Sequence, residues 1–511
     1  MAPERSEAAV EMSVAAVLAE TASRAGDDTA LVCGDARLSY RALWARAVRV
    51  AAHLRGHGLG RGDRIALLLT NTEAFPVAYF GILAAGATVV PVNILLRSRE
   101  IAYLLRDCAA AALVSEAALR PCAQDAAAAA GIEIIEVAEV PGIDDPAGGT
   151  TTDYERTAGD DVAVVLYTSG TTGRPKGVLL THANLVTNIT VTMLSPFDFG
   201  RSDVLLGALP LHHTFGQICG MCVCFRAGAT LVLMARFDAA HALALLAEER
   251  CTVFMGVPTM FFALLDAAGA GVESVLNRAY CGGAPLSPQT LRRFRSVFGC
   301  EIYEGYGLTE TSPVVAYNDR GAAVKAGTVG RAIWGVRVEI ARSDLDDRIE
   351  LLPDGEVGEI VVRGHNVMAG YLNRPDATAE VLVDGWFRSG DLGRKDEDGY
   401  LVVVDRKKDM ILRGGYNVYP RELEDVLIDH PRIAQVAVIG VPDERLGQEV
   451  CAVVIARDGT PAPEQAAAEI VAWSRNRLAA YKYPRRVVFV NEFPLGPSGK
   501  VLKRELAARI G

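Results

Sequence analysis

The chain has 511 residues, half of them hydrophobic, and a formal net charge of −10. That length exceeds what a single core supports, so two or more domains are expected. The acidic balance, with no basic stripe, excludes general nucleic-acid binding, and the acidic start, residues 1–7, lacks a signal-peptide pattern.

Residues 8–24 and 39–55 carry apolar side chains at helical spacing, and 64–69 reads as a strand. A helix near 75–85, a strand at 87–92, a helix at 98–107 and a strand at 111–115 follow, with a helical alanine run at 126–130. Helices alternating with short apolar strands predict α/β architecture. Residues 142–152 form a polar, glycine-bearing connection. The charge-free stretches 74–96 and 204–225 are interrupted by Pro76, Gly81, Gly86 and Pro91, and by Pro210, His212, His213 and Gln217. Neither can be an unbroken membrane span, so a protein of the cytoplasm is expected.

The apolar run 162–166 reads as a buried strand, and it leads into Tyr167-Thr168-Ser169-Gly170-Thr171-Thr172-Gly173-Arg174-Pro175-Lys176-Gly177. Glycines there let bare N–H groups approach a ligand, while hydroxyls and an ammonium add donors and positive charge, which suits a triphosphate. The spacing is not that of a P-loop. A helix is expected over 181–193, and three further strands, near 254, 279 and 301, each run into glycines. Ligands bind at such carboxyl ends in open sheets. Beyond Gly330 the strands shorten, and a charged knot, Asp405-Arg406-Lys407-Lys408, separates two apolar runs. A domain boundary is placed there, giving domains 1–407 and 408–511. The second domain has helices at 422–428 and 464–478, strands at 436–439 and 449–455, and a glycine–proline loop ending in Lys500.

Only eight of the 52 basic residues are lysine (176, 325, 395, 407, 408, 482, 500 and 503), so a lysine inside a motif is conspicuous. Ten cysteines show no disulfide framework, which suits a reducing compartment. Cys219 and Cys222 have metal-like spacing, but no second ligand pair follows and their neighbours are apolar; pocket or core lining is the reading. His212 and His213, beside Phe215, can be read equally as packed imidazoles or as functional ones.

Taken in order, the stretches 167–177, 209–216, 303–311, 385–391, 405–424 and 494–500 resemble the core motifs of the adenylate-forming superfamily of acyl-CoA synthetases, peptide-synthetase adenylation domains and firefly luciferase. The resemblance runs from about residue 35 to about 505. Residues 216–221 and 254–260 look most like bacterial fatty-acid–CoA ligases. The resemblance implies a large N-terminal domain of mixed sheets flanked by helices, and a small α+β C-terminal domain on a hinge. It also implies a two-step ligase: attack of a carboxylate on the α-phosphate of ATP, then displacement of AMP by the thiol of CoA. Such chemistry needs charge stabilisation and alignment more than a covalent nucleophile.

By the same resemblance, Thr168, Ser169, Gly170, Thr171, Thr172, Gly173 and Lys176 would hold the β- and γ-phosphates. Tyr306 would lie against adenine opposite Gly283, Ala284 and Pro285, with Glu304, Gly305 and Gly307 lining the nucleotide. Asp391 would accept the ribose hydroxyls, helped by Arg406. Thr309 would touch the α-phosphate, and Glu310, with Thr168, would hold Mg²⁺. Lys500 would bridge the attacking carboxylate and the α-phosphate. His213 would gate the acyl pocket, lined by Phe215, Gly216, Cys219, Gly256 and Val314. Lys408 would be the hinge about which the C-terminal domain turns to bring Gly414, Gly415 and Tyr416 to CoA.

The pocket positions carry no arginine or lysine, so a second carboxylate on the substrate would go unpaired. Amino-acid-activating relatives carry an aspartate where Thr214 stands. A medium- or long-chain fatty acid is the first expectation, with aryl or branched acids open. An acyl carrier protein is the rival acceptor, and a non-catalytic nucleotide-binding protein is the rival from another class.

Overall fold

The computed structural model describes residues 11–144, 154–168, 175–269, 272, 274–284, 286–457, 464–494 and 501–510. The chain forms two compact units, one of Met1–Val338 with Val362–Phe387, the other of Glu339–Val361 with Arg388–Gly511. The crossing at 387/388 differs from a division at 407: residues 388–407 belong with the C-terminal unit. The cause is local, because Asp391 and Arg406 are register partners in the pairing of Trp386–Lys395 with Leu401–Arg406.

The first unit is built on two sheets. A seven-stranded sheet has the order Gly370–Tyr371, Lys176–Thr181, Val162–Thr168, Thr88–Pro91, Arg64–Leu67, Ala112–Ser115, Glu133–Glu136. A nine-stranded sheet runs Arg331–Ala332, Val314–Tyr317, Ile302–Gly307, Arg278–Cys281, Val253–Gly256, Val204–Gly207, Thr230–Leu233, Thr29–Cys33, Ala36–Ser39. Their central strands are parallel. Strands covered on both faces read as unbroken apolar runs, and Ala112–Ser115, Val253–Gly256 and Arg278–Cys281 are buried at every position. The helix Ala74–Ala84 is buried at ten consecutive positions, Phe75 to Ala84. It crosses Tyr40–Gly56 so closely that a Cβ on Gly81 would lie 2.6 Å from Val50 Cβ. No helix among the described residues is long and apolar enough to cross a membrane.

The helix His182–Leu194 begins on a reciprocal cap in which Asn184 N–H donates to Thr181 Oγ1 and Thr181 N–H to Asn184 Oδ1, each at 3.1 Å. The Asn184 amide also donates to the carbonyls of His365 (2.7 Å) and Val367 (3.0 Å), fastening the segment that leads to Gly370–Tyr371. Beside the cap, buried His182 accepts the Val14 N–H on Nδ1 at 3.0 Å. Burial pushes its pKa down to about 4, against a weaker opposing pull from Asp161. Its unfolded value is about 6.5, so the stabilisation is complete above that pH and is lost as pH falls through about 4. The shift corresponds to about 3 kcal/mol. His182→Gln is expected to be slightly less stable at pH 7 yet to lose less stability between pH 6.5 and 4, measured by urea unfolding at stepped pH. An unchanged decline would contradict this role for His182.

The second unit shows period-two patterning on its long hairpin, Ile433–Asp443 with Gly447–Ala456. Val438, Val450, Ala452 and Val454 face a core shared with Leu423, Leu427 and Ile470. Ala437, Ile439, Cys451 and Val453 face another, with Phe493 and Leu506. Helices Pro420–Leu427 and Glu464–Arg475 cover the first face and Lys503–Ile510 the second. Both strands begin earlier than the sequence suggests, at 433 rather than 436 and at 447 rather than 449.

Candidate active site

In the first unit a strand pair carries Thr168 and Lys176, the two described ends of the stretch expected to bind phosphate. Thr168 and Lys176 are register partners at the ends of Val162–Thr168 and Lys176–Thr181. Ser169, Gly170, Thr171, Thr172 and Gly173 lie outside the described residues. The flank at Pro175 is tied down by Tyr103, whose hydroxyl donates to the Pro175 carbonyl at 3.3 Å. Tyr167 donates to Asp107 at 2.8 Å, and Asp107 pairs with Arg374 at 2.7 Å. Lys176 Nζ sits 4.8 Å from the centroid of the Tyr371 ring. The Tyr371 hydroxyl donates to Glu310 Oε1 at 3.0 Å. Burial, then the Glu310 charge, raises the phenol well above its ordinary pKa, so it stays a donor at neutral pH. Nothing in the sequence marks Tyr371, since a bare Gly-Tyr pair has no period or spacing of its own.

Glu310 lies on the single turn Thr309–Thr311 after the strand Ile302–Gly307. The turn is closed by Leu308 N–H donating to Thr311 Oγ1 at 2.9 Å and by the Thr311 hydroxyl donating to the Pro313 carbonyl at 2.7 Å. Met368 N–H donates to the Glu310 carbonyl at 2.9 Å. Two glycines before the turn are sterically required. A Cβ on Gly305 would lie 2.1 Å from the Tyr317 ring, and one on Gly307 would lie 2.1 Å from the Pro313 carbonyl oxygen. Buried Glu304 accepts the Leu286 N–H at 2.9 Å, which ties this strand to the loop of Gly283 and Ala284. Pro285 lies outside the described residues. Gly256, Cys281 and Glu304 are register partners along adjacent parallel strands, so all three strands run toward the same, carboxyl end of the sheet.

Residues 209–222 include His213, Phe215, Gly216 and Cys219, the positions expected on the acyl side. Asn71 brackets the start: its amide donates to the Leu209 carbonyl at 2.8 Å and its oxygen accepts the Leu211 N–H at 2.9 Å. The Gln217 amide donates to the Leu211 carbonyl at 3.0 Å. Gly216 admits no side chain, since a Cβ would lie 2.4 Å from the Pro210 carbonyl oxygen. The wide helical turn Phe215–Cys222 continues into Val223–Ala227, where the sequence suggested only an apolar, glycine-rich segment. His213 is exposed, and Phe215 N–H reaches its Nδ1 at 3.3 Å. Burial, and then His213, pushes His212 down to about 4. Phe215 and Tyr317 flank Gly282: a Cβ there would lie 3.2 Å from Phe215 Cε1 and 3.6 Å from the Tyr317 hydroxyl. Cys219 and Val314 are buried, and burial raises the Cys219 thiol far above its ordinary pKa. All ten cysteines are free, and no group of three metal-ligating side chains occurs among the described residues.

In the second unit, Arg406 Nε pairs with the buried Asp391 carboxylate at 3.0 Å. Gly414 and Gly415 have φ of +57° and +84° and form the turn between Ile411–Arg413 and Tyr416–Val418. Exposed Tyr416 stacks on Tyr481 with centroids 4.7 Å apart. Lys408 lies in a turn where Asp409 and Met410 N–H groups donate to the Arg406 carbonyl at 3.0 and 3.1 Å. Lys500 lies outside the described residues.

The chain is similar to known proteins over most of its length. Residues 18–372 match the AMP-binding enzyme family, and 422–500 match the AMP-binding enzyme C-terminal domain. A feruloyl-CoA synthase from Amycolatopsis sp. is 40% identical, over 94% of this chain and 96% of its own length. A long-chain-fatty-acid–CoA ligase from Bacillus subtilis is 33% identical, over 96% of this chain and 93% of its own. The crystal structure of ATP-bound MatB from Rhodopseudomonas palustris superimposes with a TM-score of 0.89 at 32% identity, covering 97% and 98% of the two chains. With its two-sheet first unit, its glycine-ended strands and both family matches in order, the chain belongs to the AMP-binding, adenylate-forming enzyme family.

Proposed function

We propose that this chain is an AMP-forming acid–CoA ligase whose acid is an aryl-substituted, singly charged carboxylic acid. The observation that carries the reading is the pairing of an ammonium and a carboxylate around Tyr371: Lys176 for phosphate oxygens and Glu310 for a hard cation. Magnesium binds through one or two carboxylates plus substrate phosphates and keeps several waters, so it needs no all-protein cage. Glu310, with Thr168 near Lys176, fits that requirement, and Mg²⁺ held there would neutralise charge on the phosphates. Lys176 and the hydroxyls of 168–172 orient the triphosphate. Thr309 contacts the α-phosphate, Tyr306 and Gly283–Pro285 bind adenine, and Asp391 with Arg406 receives the ribose. Lys500 aligns the attacking carboxylate; pyrophosphate then leaves, and the CoA thiol attacks the acyl carbon to release AMP. His213 gates the pocket, while Gly414, Gly415 and Tyr416 meet CoA. Turning about Lys408 separates the two steps. ATP and CoA as co-substrates, and ten free cysteines, support a cytoplasmic setting.

An aryl acid is favoured because the aromatic side chains of Phe215 and Tyr317 lie beside Gly282, and aromatic neighbours suit a flat ring. The 40% identity to a feruloyl-CoA synthase supports the same choice. A medium- or long-chain fatty acid is the second reading, favoured by the small residues Gly216 and Gly220 along the 215–222 turn and by the 33% identical fatty-acid ligase. AMP release measured with ATP, Mg²⁺, CoA and a panel of hydroxycinnamic, benzoic and four- to eighteen-carbon acids separates them. The expected result is kcat/KM at least about tenfold higher for an aryl acid. Preference for long-chain acids would overturn the aryl choice, and AMP release that requires a carrier protein instead of CoA would overturn the acceptor.

A further inference from the structure

We propose that Tyr371 is a positioning residue for the metal–nucleotide complex, orienting the Glu310 carboxylate through its hydroxyl and the Lys176 ammonium through its ring. This rests on the reading of Glu310 and Lys176 given above. Tyr371 itself is held at several points. Its N–H donates to Thr378 Oγ1 at 2.9 Å, and it is the register partner of Val178 in the strand that starts with Lys176. Ala369 N–H donates to the Leu179 carbonyl at 3.0 Å and Leu372 N–H to the Gly177 carbonyl at 2.8 Å, so the backbone on both sides is paired. Gly370 has φ of +144° and would carry a Cβ 2.9 Å from Thr378 Cγ2, so this approach requires glycine. The Glu310 backbone is fastened to the same segment through Met368 N–H at 2.9 Å. A ring fixed this firmly gives both charged groups a common reference, and each contact can be removed separately. Phenylalanine keeps the ring under Lys176 and loses the hydrogen bond to Glu310. Leucine loses both.

Tyr371→Phe and Tyr371→Leu are to be compared with wild type in the full-length protein. Two readouts are needed: calorimetric binding of a non-hydrolysable ATP analogue across a Mg²⁺ titration and in EDTA, and acid-dependent pyrophosphate exchange across the same titration. Tyr371→Phe is expected to raise the half-saturating Mg²⁺ concentration about tenfold, the effect of one hydrogen bond to a charged group. Its metal-free nucleotide affinity and melting temperature should match wild type. Tyr371→Leu is expected to weaken metal-free binding about threefold as well, through loss of the cation–π contact. Against a Glu310→Gln background the Mg²⁺ effect of Tyr371→Phe should vanish, a comparison that still holds if the leucine variant fails to fold. Wild-type Mg²⁺ dependence in Tyr371→Phe, or a drop in melting temperature alone, would overturn the proposal. A wild-type protein that binds Mg²⁺ and nucleotide but gives no exchange would contradict the ligase reading only, and the binding arm would still decide the role of Tyr371. No nucleotide binding by wild type would sink both.

Discussion

Lys500→Ala is expected to lower acid-dependent pyrophosphate exchange at least about a hundredfold, the effect of removing one positioned donor from a developing charge. Thioester formation from chemically prepared acyl-AMP should stay within a few-fold of wild type. The reasoning is chemical. A carboxylate attacking a phosphate brings two anionic groups together, and an ammonium between them offsets that repulsion in the first step only. The second step begins from a mixed anhydride that is already an electrophile. Arginine is the prevailing cation in this chain, so Lys500→Arg makes an informative companion. It retains charge but presents a planar fork in place of a point charge, and should restore only part of the first step. Equal loss in both half-reactions would contradict the division of labour.

The second large effect lies at the amino end of the strand Arg278–Cys281. Arg278, 1% exposed, pairs with Asp203, 7% exposed, at 2.6 Å. Burial alone would raise Asp203, but Arg278 and the Gly200 N–H outweigh it and hold the carboxyl below its usual range. Arg278 also donates to the carbonyls of Phe197 (3.2 Å) and Asp198 (3.1 Å) and to Asn277 Oδ1 at 2.5 Å. Asp203 additionally accepts from the Gly200 N–H at 2.8 Å and the Thr252 hydroxyl at 2.9 Å. Asp203→Ala is expected to destabilise the first unit by roughly 3–5 kcal/mol, because a buried guanidinium loses its counter-charge. Asp203→Asn with Arg278→Met should cost less than the sum of the two single changes. Denaturant unfolding of the four proteins checks this, and strict additivity would mean that the pair is not coupled. The strand Arg278–Cys281 leads directly into Gly282–Ala284, so loss of the pair should also weaken nucleotide binding.

Much of this fold is written in local pattern. The apolar runs at 64–69, 111–115 and 162–166 become strands because parallel strands in a covered sheet need side chains buried on both faces. The reading of Cys219 and Cys222 as lining residues agrees with their burial. What escaped local reading depends on distant partners. The helix through 215–227 sits on a stretch rich in glycine, and its start depends on Gly216 fitting against Pro210 and on Asn71, 138 residues away from Leu209. Tyr371 is 61 residues from Glu310, and no spacing rule spans that interval. The charged knot at 405–408 suggests a boundary, whereas residues 388–407 lie in the second unit, where Asp391 pairs with Arg406. For the site, Lys176 and Glu310 both meet Tyr371 in the first unit and Asp391 meets Arg406 in the second, while Ser169, Gly170, Thr171, Thr172, Gly173, Pro285 and Lys500 lie outside the described residues. The supporting residues Asn71, Gln217 and Tyr371 became visible only through their contacts.

The most direct test of the central claim is ATP–pyrophosphate exchange by the wild-type protein in the absence of CoA, with and without a carboxylic acid. Exchange that appears only when acid and Mg²⁺ are both present, and that Lys176→Ala reduces, is the predicted result. Exchange independent of acid, or none with any aryl or fatty acid tested, would contradict it.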